Sequence, residues 1–476
     1  MNYIQTEANG QIKFSSECCT FLMIPSNLDG FNNSDTSVET SKSGRTVYCF
    51  NGTLDDDMNR LCSCCGSKMH VNNHISVTLR HLCFGSNLTA LRFTKIQLRC
   101  PECGATVLQE VPFKAERHRI TKELFNYTTD LLALGKYTNR QVAYITGLDE
   151  NTIKSIDKQR LKEKYTIDGK ALIKPEEPAR FLGIDEFKLH NGYRYATHII
   201  DLETGHILWL SHGKKKQVVY DFINHVGLEW MDNVEAVACD MNSDFQEAFE
   251  EVCPHIQPVF DYFHIIKNFN EKVVSAVRID EQKRLIEEGE TDAAKSLKRT
   301  KYILTSSRQT LERKDQEARD GKVVSKGNEL FSKEDVKRKE GYLSKYEELI
   351  RENQLLFTVD LIKEKLADAY KAIDELYMAK AITEIMELCS ATENRHFQWF
   401  KRLLDSHFEG IIAHATYNIS SGKIEGINNK IKTLRRQGYG YPDDEYFFLK
   451  LFDVSRTNYV RNIPSHKILE RSKISI

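Results

Sequence analysis

The chain has 476 residues, enough for roughly two to four domains and at least one sizeable core. Charged residues make up 28% and apolar residues 41%, an ordinary soluble balance; with no apolar run of about 18 residues and no charged-then-apolar leader at Met1, neither a membrane span nor secretion is indicated. The net charge of −1 conceals segregation: residues 61–180 hold 19 Lys and Arg against 12 Asp and Glu, and residues 423–473 hold 11 against 6, two basic segments that point to local polyanion contact.

Residues 1–55 are rich in Asn, Ser, Thr and Asp without a sustained period, and read as a polar, poorly ordered arm. The 12 cysteines of an unexported chain argue for thiols and metal ligation rather than a disulfide scaffold. LCSCCG and RCPECG are two C-x-x-C-G knuckles, Cys62/Cys65 and Cys100/Cys103, separated by the strand-like SVTLRHL and TKIQLRC. Tetrahedral zinc takes four thiolates from two such turns, so residues 56–115 read as a zinc ribbon with a structural Zn²⁺. Cys64 is an alternative to Cys62, and His81 can replace one sulfur. Over residues 116–172 the period turns helical: a helix, a short helix NRQVAYIT, Gly147, then the basic ENTIKSIDKQRLKEKY. This is the order of a helix-turn-helix. Its recognition helix, about 151–162, offers Asn151, Lys154, Ser155, Lys158 and Gln159 for base or phosphate contact.

Pro175 and Pro178 mark a boundary, after which residues 178–266 become strand-rich. Three hairpin-linked strands (RFLGIDEFKL, YRYATHIIDL, ILWLSHG) precede two strands with helical crossovers (VEAVACDMN, IQPVFDYFH). That is the order of a ribonuclease-H-like mixed α/β sheet. Residues 267–414 read as a long, charged, all-helical insertion, and residues 415–476 as the last helix and a tail. The fold class is thus multidomain α+β.

Asp185 lies in the first of these strands and Asp240 at the carboxyl end of the fourth, which in that fold is its neighbour. Ser243 with Gln246 makes a capping box for the next helix and leaves Asp240 free. An acid within FLGID is costly to bury unless a cation compensates it. In GKIEGINNKIKTLRRQGYGYP, Ile424, Ile427, Ile431 and Leu434 recur at helical spacing, and Gly438, Gly440 and Pro442 end the helix. The opposite arc stacks Glu425, Asn428, Asn429, Lys432 and Arg436, and Glu425 has no Ser or Thr three residues earlier to make it a capping acid. With Glu425 added, the three carboxylates can hold two Mg²⁺ about 3.5–4 Å apart, the arrangement for in-line displacement at a phosphodiester. The amides and cations beside them can hold DNA phosphates.

GIDEF, ACDMN, DYFHIIKN and SGKIEGINNKIKxLRRQGYGY, in that order, resemble the DDE transposases of bacterial insertion sequences, and most closely the ISL-three family, over about residues 61–452. The extra Cys64 departs slightly from that family's ribbon. The resemblance implies that Asp185, Asp240 and Glu425 are the DDE triad, with Mg²⁺ or Mn²⁺ as cofactor. It also implies that Asp261 and His264 are a D-x-x-H element in the catalytic site. It further implies DNA partners (terminal inverted repeats and target), cleavage with strand transfer, a homodimer or higher oligomer on DNA, and a bacterial, nucleoid-associated location. The alternative is a transposase-derived DNA-binding regulator without catalysis.

Overall fold

The computed structural model describes residues 28–192, 194–241, 243–321, 340–419, 422–438 and 440–456, with short strands at 5–6, 12–13, 323–326 and 334–337. The chain divides into two units, residues 1–173 with 433–476, and residues 174–432. The division after Ile173 falls beside Pro175 and Pro178, which cannot donate backbone hydrogen bonds.

In the first unit, β1 (Phe31–Thr40), β2 (Thr46–Leu54), β3 (His70–Phe84) and β4 (Asn87–Arg99) form one sheet in the order β1-β2-β4-β3, with β5 (Thr106–Leu108) beside β4. The expected arm over 1–55 is therefore corrected, because residues 31–54 are two paired strands. Their polar composition misleads because β1 is an edge strand whose Asn, Ser, Asp and Thr side chains largely face water, while Val47, Cys49 and Phe50 of β2 supply the buried side. Most of residues 1–27 lie outside the described residues. The long β3–β4 hairpin, closed at Gly85 with φ 58°, is the spacer between the two cysteine knuckles.

Three helices follow. Thr121 caps α1 (Lys122–Ala133), a Thr138/Gln141 capping box opens α2 (Asn139–Thr146), and Asp149 caps α3 (Glu150–Tyr165). Gly147 ends α2 at φ 70°, and a Cβ there would lie 2.1 Å from Leu88 Cδ2, so glycine is needed for the turn and for its contact with β4. Leu124, Leu132, Val142, Ile153 and Ile156 form the buried cluster of this three-helix unit. The C-terminal helix Asp444–Arg456 packs along α3.

The second unit is built on β6 (Phe181–Lys188), β7 (Tyr195–Asp201), β8 (Ile207–His212), α4 (Gln217–Val226), β9 (Ala236–Ala238), α5 (Ser243–Val252), β10 (Gln257–Val259) and α6 (Tyr262–Asn268). Its sheet order is β8-β7-β6-β9-β10, with β6, β7 and β8 antiparallel and β9 and β10 parallel to β6. The segment 267–414 is mainly helical but not wholly so, since Val323–Lys326 pairs with Glu334–Lys337. The β-branched pair in GKVVSKG favours that short hairpin within a charged stretch. The helices of this segment share one apolar core with the sheet, through residues such as Phe260, Phe269 and Phe400. No helix among the described residues is long and apolar enough to cross a membrane.

Candidate functional site

The two cysteine knuckles meet at the base of the β3–β4 hairpin. Each is the same turn: Cys62 N–H donates to Ser67 O and Gly66 N–H to Cys62 O, while Cys100 N–H donates to Ala105 O and Gly104 N–H to Cys100 O. Gly66 and Gly104 sit at φ 74° and 73°, in the left-handed region the turn requires. The ligand atoms of Cys62, Cys65, Cys100 and Cys103 all lie within 4.8 Å of one another. Sulfur separations are 3.5 Å for Cys62–Cys103 and Cys65–Cys100 and 3.6 Å for Cys65–Cys103. Tetrahedral Zn–S bonds of about 2.3 Å place sulfurs about 3.8 Å apart, so the four fit one zinc ion. The N–H groups of Cys64 and Cys65 hold the Cys62 thiol down to about 6. Cys103, although the Ala105 N–H favours its thiolate, is pushed up to about 12 by the other three sulfurs, as expected where four thiolates need a cation among them. Cys64 is exposed and outside the cluster, and His81 is elsewhere, its Nδ1 2.9 Å from Thr121 Oγ1. Both alternative ligands are thereby set aside.

In the second unit, Gly183 and Ala238 pair across the parallel strands β6 and β9. Asp185 lies two residues beyond Gly183 on β6 and Asp240 two residues beyond Ala238, just past the end of β9, so both come to the carboxyl edge of the sheet, where both charges act on Glu186. The helix Gly422–Gln437 lies over this edge. Its Ile424, Ile427, Ile431 and Leu434 are all buried, each contributing on the order of 1.5–3 kcal/mol. A Cβ on Gly183 would lie 2.9 Å from Ile424 Cδ1, so the glycine before Asp185 lets the helix come close. One turn further, Asn428 Nδ2 donates to Asp185 Oδ2 at 2.6 Å, while Asp185 Oδ1 accepts the Glu186 N–H at 2.8 Å. Asp240 Oδ1 accepts the Met241 N–H at 2.8 Å; the Ser243 side chain of the expected capping box lies outside the described residues. Glu425 is exposed on the helix. Among the described residues, these three carboxylates do not form a group with all ligand atoms within 4.8 Å, so they are more open than the cysteine cage. All three offer oxygen donors, the kind a hard divalent cation takes.

Asn428 faces Asp185 and the buried His198, while Asn429, Lys432 and Arg436 are exposed. Burial holds the His198 imidazole below its ordinary range, against the opposing Asn428 hydrogen bond and Asp185 charge. The reading from sequence overlooked Glu186, the next residue in GIDEF. Burial raises its carboxyl; Lys214, 4.0 Å away, opposes the rise, and the charges of Asp185, Asp240 and Asp244 add to it. Asp261 is the N-cap of α6, accepting the Phe263 N–H at 3.4 Å, and His264 is in its first turn with its Nδ1 buried and without a hydrogen-bond partner among the described residues.

On α3 the candidate DNA contacts divide. Asn151 and Ser155 are exposed, and Gln159 donates to Glu163 at 2.9 Å. Lys154 instead pairs with Asp443 at 3.1 Å, Lys158 with Asp443 at 3.0 Å and Glu445 at 2.6 Å, and Lys162 with Glu445 at 2.6 Å. Beneath this rim, fully buried Asp157 accepts from Arg160 at 2.8 Å, Tyr446 Oη at 2.7 Å and Lys450 at 2.8 Å. Asp453 accepts from Arg160 at 2.9 Å, Lys164 at 2.9 Å and Tyr165 Oη at 2.8 Å. Burial works against ionising Asp443, yet the Tyr446 N–H and the Lys158 and Lys154 ammoniums hold it down to about 2. The available signal was the acid run after Pro442 facing lysines spaced four apart on α3.

A family profile described as a transposase, of the ISL-three DDE type, matches residues 182–451. The transposase for insertion sequence element IS1001 of Bordetella parapertussis is 25% identical over 392 residues, covering 82% of this chain and 87% of that protein. The transposase for insertion sequence element IS1557 of Mycobacterium tuberculosis (strain CDC 1551 / Oshkosh) is 22% identical over 365 residues, 76% of this chain and 78% of that protein.

Proposed function

Because the chain belongs to the ISL-three family of DDE transposases, we propose that it binds the terminal inverted repeats of an insertion sequence, cuts at the element's ends and joins the freed 3′ hydroxyl to target DNA. The observation that carries this reading is the pairing of Gly183 with Ala238 across neighbouring parallel strands, which brings Asp185 and Asp240 to one end of the sheet, with the Glu425 helix anchored there through Gly183 and Asn428. Asp185, Asp240 and Glu425 would hold the divalent cations, which when bound would supply activation of the attacking oxygen and charge stabilisation of the leaving one. Asn428 keeps one oxygen of Asp185 oriented. Asn429, Lys432 and Arg436 supply donors for the DNA strand that crosses the helix. Glu186, half-buried among acids, sets the local charge without serving as a ligand.

The ribbon and the three helices bind the repeat. Asn151, Ser155 and Gln159 read bases from the open side of α3, whereas Lys154 and Lys158 reach phosphates only in competition with Asp443 and Glu445. The Cys62, Cys65, Cys100 and Cys103 cage holds structural zinc, and Asp261 with His264 shapes the start of α6. The test is cleavage of duplexes taken from the DNA flanking the reading frame, with Mg²⁺ or Mn²⁺. The unmodified protein should cut at its repeat ends, and Asp185→Asn or Asp240→Asn should bind the same duplex without cutting it. Binding without cutting by the unmodified protein, under either metal, would make it a regulator instead.

A further inference from the structure

His198 is fully buried on β7, directly across the antiparallel pair from Asp185. Its Nε2 lies 3.1 Å from Asn428 Oδ1, and the same amide donates from Nδ2 to Asp185 Oδ2 at 2.6 Å. The direction of this chain is set from one end. An ionised carboxylate only accepts, so Asn428 must turn its NH₂ to Asp185 and its carbonyl to His198, and the imidazole proton must sit on Nε2. Nδ1 is then a bare lone pair, buried with no hydrogen-bond partner among the described residues. The Phe187 ring stacks on the imidazole at a centroid distance of 6.0 Å. A histidine present only to fill the core gains nothing from this arrangement, since an apolar residue would avoid the unsatisfied nitrogen.

We propose that His198 is a positioning residue for the carboxylate site: it locks the Asn428 amide, which orients Asp185 and ties the Glu425 helix to the strand that carries Asp185. This rests on the reading of those carboxylates as metal ligands. Ile424 seats on Gly183 and Asn428 on Asp185, so Glu425, between them on the helix, is held relative to Asp185 by the same latch. Without the imidazole N–H, the amide is free to turn over and present its carbonyl to the carboxylate, which repels it. His198 touches neither DNA nor metal in this scheme and acts through Asn428.

The test is Mn²⁺ binding to the full-length, zinc-loaded protein by isothermal titration calorimetry, with melting temperature and repeat-DNA affinity measured in parallel. His198→Leu removes the donor and keeps the core apolar, while His198→Gln keeps a donor near the Nε2 position. The leucine variant should bind Mn²⁺ about tenfold more weakly with little change in DNA affinity, and the glutamine variant should recover most of that loss. Asn428→Ala should match His198→Leu, and the double variant should be no worse than either, because both break one chain; Asn428→Ala alone carries the test should His198→Leu fail to fold. Unchanged Mn²⁺ affinity in His198→Leu or in Asn428→Ala overturns the proposal, as does a glutamine variant no better than leucine at equal melting temperature. An Asp185→Asn protein that binds Mn²⁺ as tightly as the unmodified one overturns the carboxylate reading itself, a result distinct from failure of the latch alone.

Discussion

The helix α3 and the helix Gly422–Gln437 carry the same kind of sequence, an apolar stripe with amides and cations along the other side, yet the structure uses them differently. On α3 the cations are neutralised within the unit: Lys154, Lys158 and Lys162 face Asp443 and Glu445, above a buried layer in which Asp157 and Asp453 meet Arg160, Lys164 and Lys450. On the Glu425 helix an amide is committed to Asp185, while Lys432 and Arg436 stay exposed. The lesson is that a basic row four residues apart does not by itself mean a free phosphate-binding face. What matters is which acids the rest of the chain brings to it.

The largest effect that sharpens this contrast lies in the cysteine ribbon of the same unit as α3. Purified protein should carry about one zinc, and Cys100→Ser with Cys103→Ser should lose it and destabilise the first unit by as much as about 10 kcal/mol, the scale of structural zinc binding. Elemental analysis showing unchanged zinc in that variant contradicts the cage.

Next is Asp157→Ala, which leaves Lys450 without its buried acid and Arg160 with Asp453 alone, and should cost about 3–5 kcal/mol in chemical denaturation. The same type of loss at exposed Glu425 should cost about 0.5 kcal/mol or less. Equal costs at the two positions would break the comparison.

A smaller effect is expected at the rim. Asp443→Asn with Glu445→Gln should release the lysines of α3 and raise DNA affinity of the full chain by about three- to tenfold at low salt, an advantage that shrinks as salt rises. An unchanged affinity would mean that these lysines do not face DNA. The rim also has a pH signature. Asp443 is depressed from 3.8 to about 2, so its stabilisation is complete above pH 3.8 and lost as pH falls through 2. Amide exchange in the helix Asp444–Arg456 should therefore show constant protection from pH 7 to about 5, after correction for intrinsic rates, and loss of it only below about 4. The smallest effect is Lys432→Ala, which should reduce the salt dependence of DNA binding by about one unit of slope.

Much of this arrangement was legible in the sequence where local signals suffice. The two C-x-x-C-G knuckles, the Ile424 to Leu434 stripe, the glycine turn at Gly147 and the order of strands and crossovers that makes β6 and β9 neighbours all follow from local pattern. What was not legible depends on contacts distant along the chain. Asp157 in KSIDKQR looks like a surface acid until the C-terminal helix buries it, some 290 residues later in the sequence. Asn428 looks like a phosphate donor until His198 and Asp185 claim both ends of its amide. The strands of residues 31–54 were hidden because an edge strand can be almost wholly polar and still pair.

The measurement that bears most directly on the central claim is the cleavage rate of repeat-end DNA by Glu425→Gln, compared with the unmodified protein at equal DNA occupancy. The substitution keeps the size of the side chain and removes the charge proposed to hold the divalent cation. The rate should fall by at least about a thousandfold, the scale of several kcal/mol of lost transition-state stabilisation, while DNA affinity and melting temperature hold. A Glu425→Gln protein that cuts at the unmodified rate would contradict the account and leave the helix Gly422–Gln437 as a basic surface with an incidental acid.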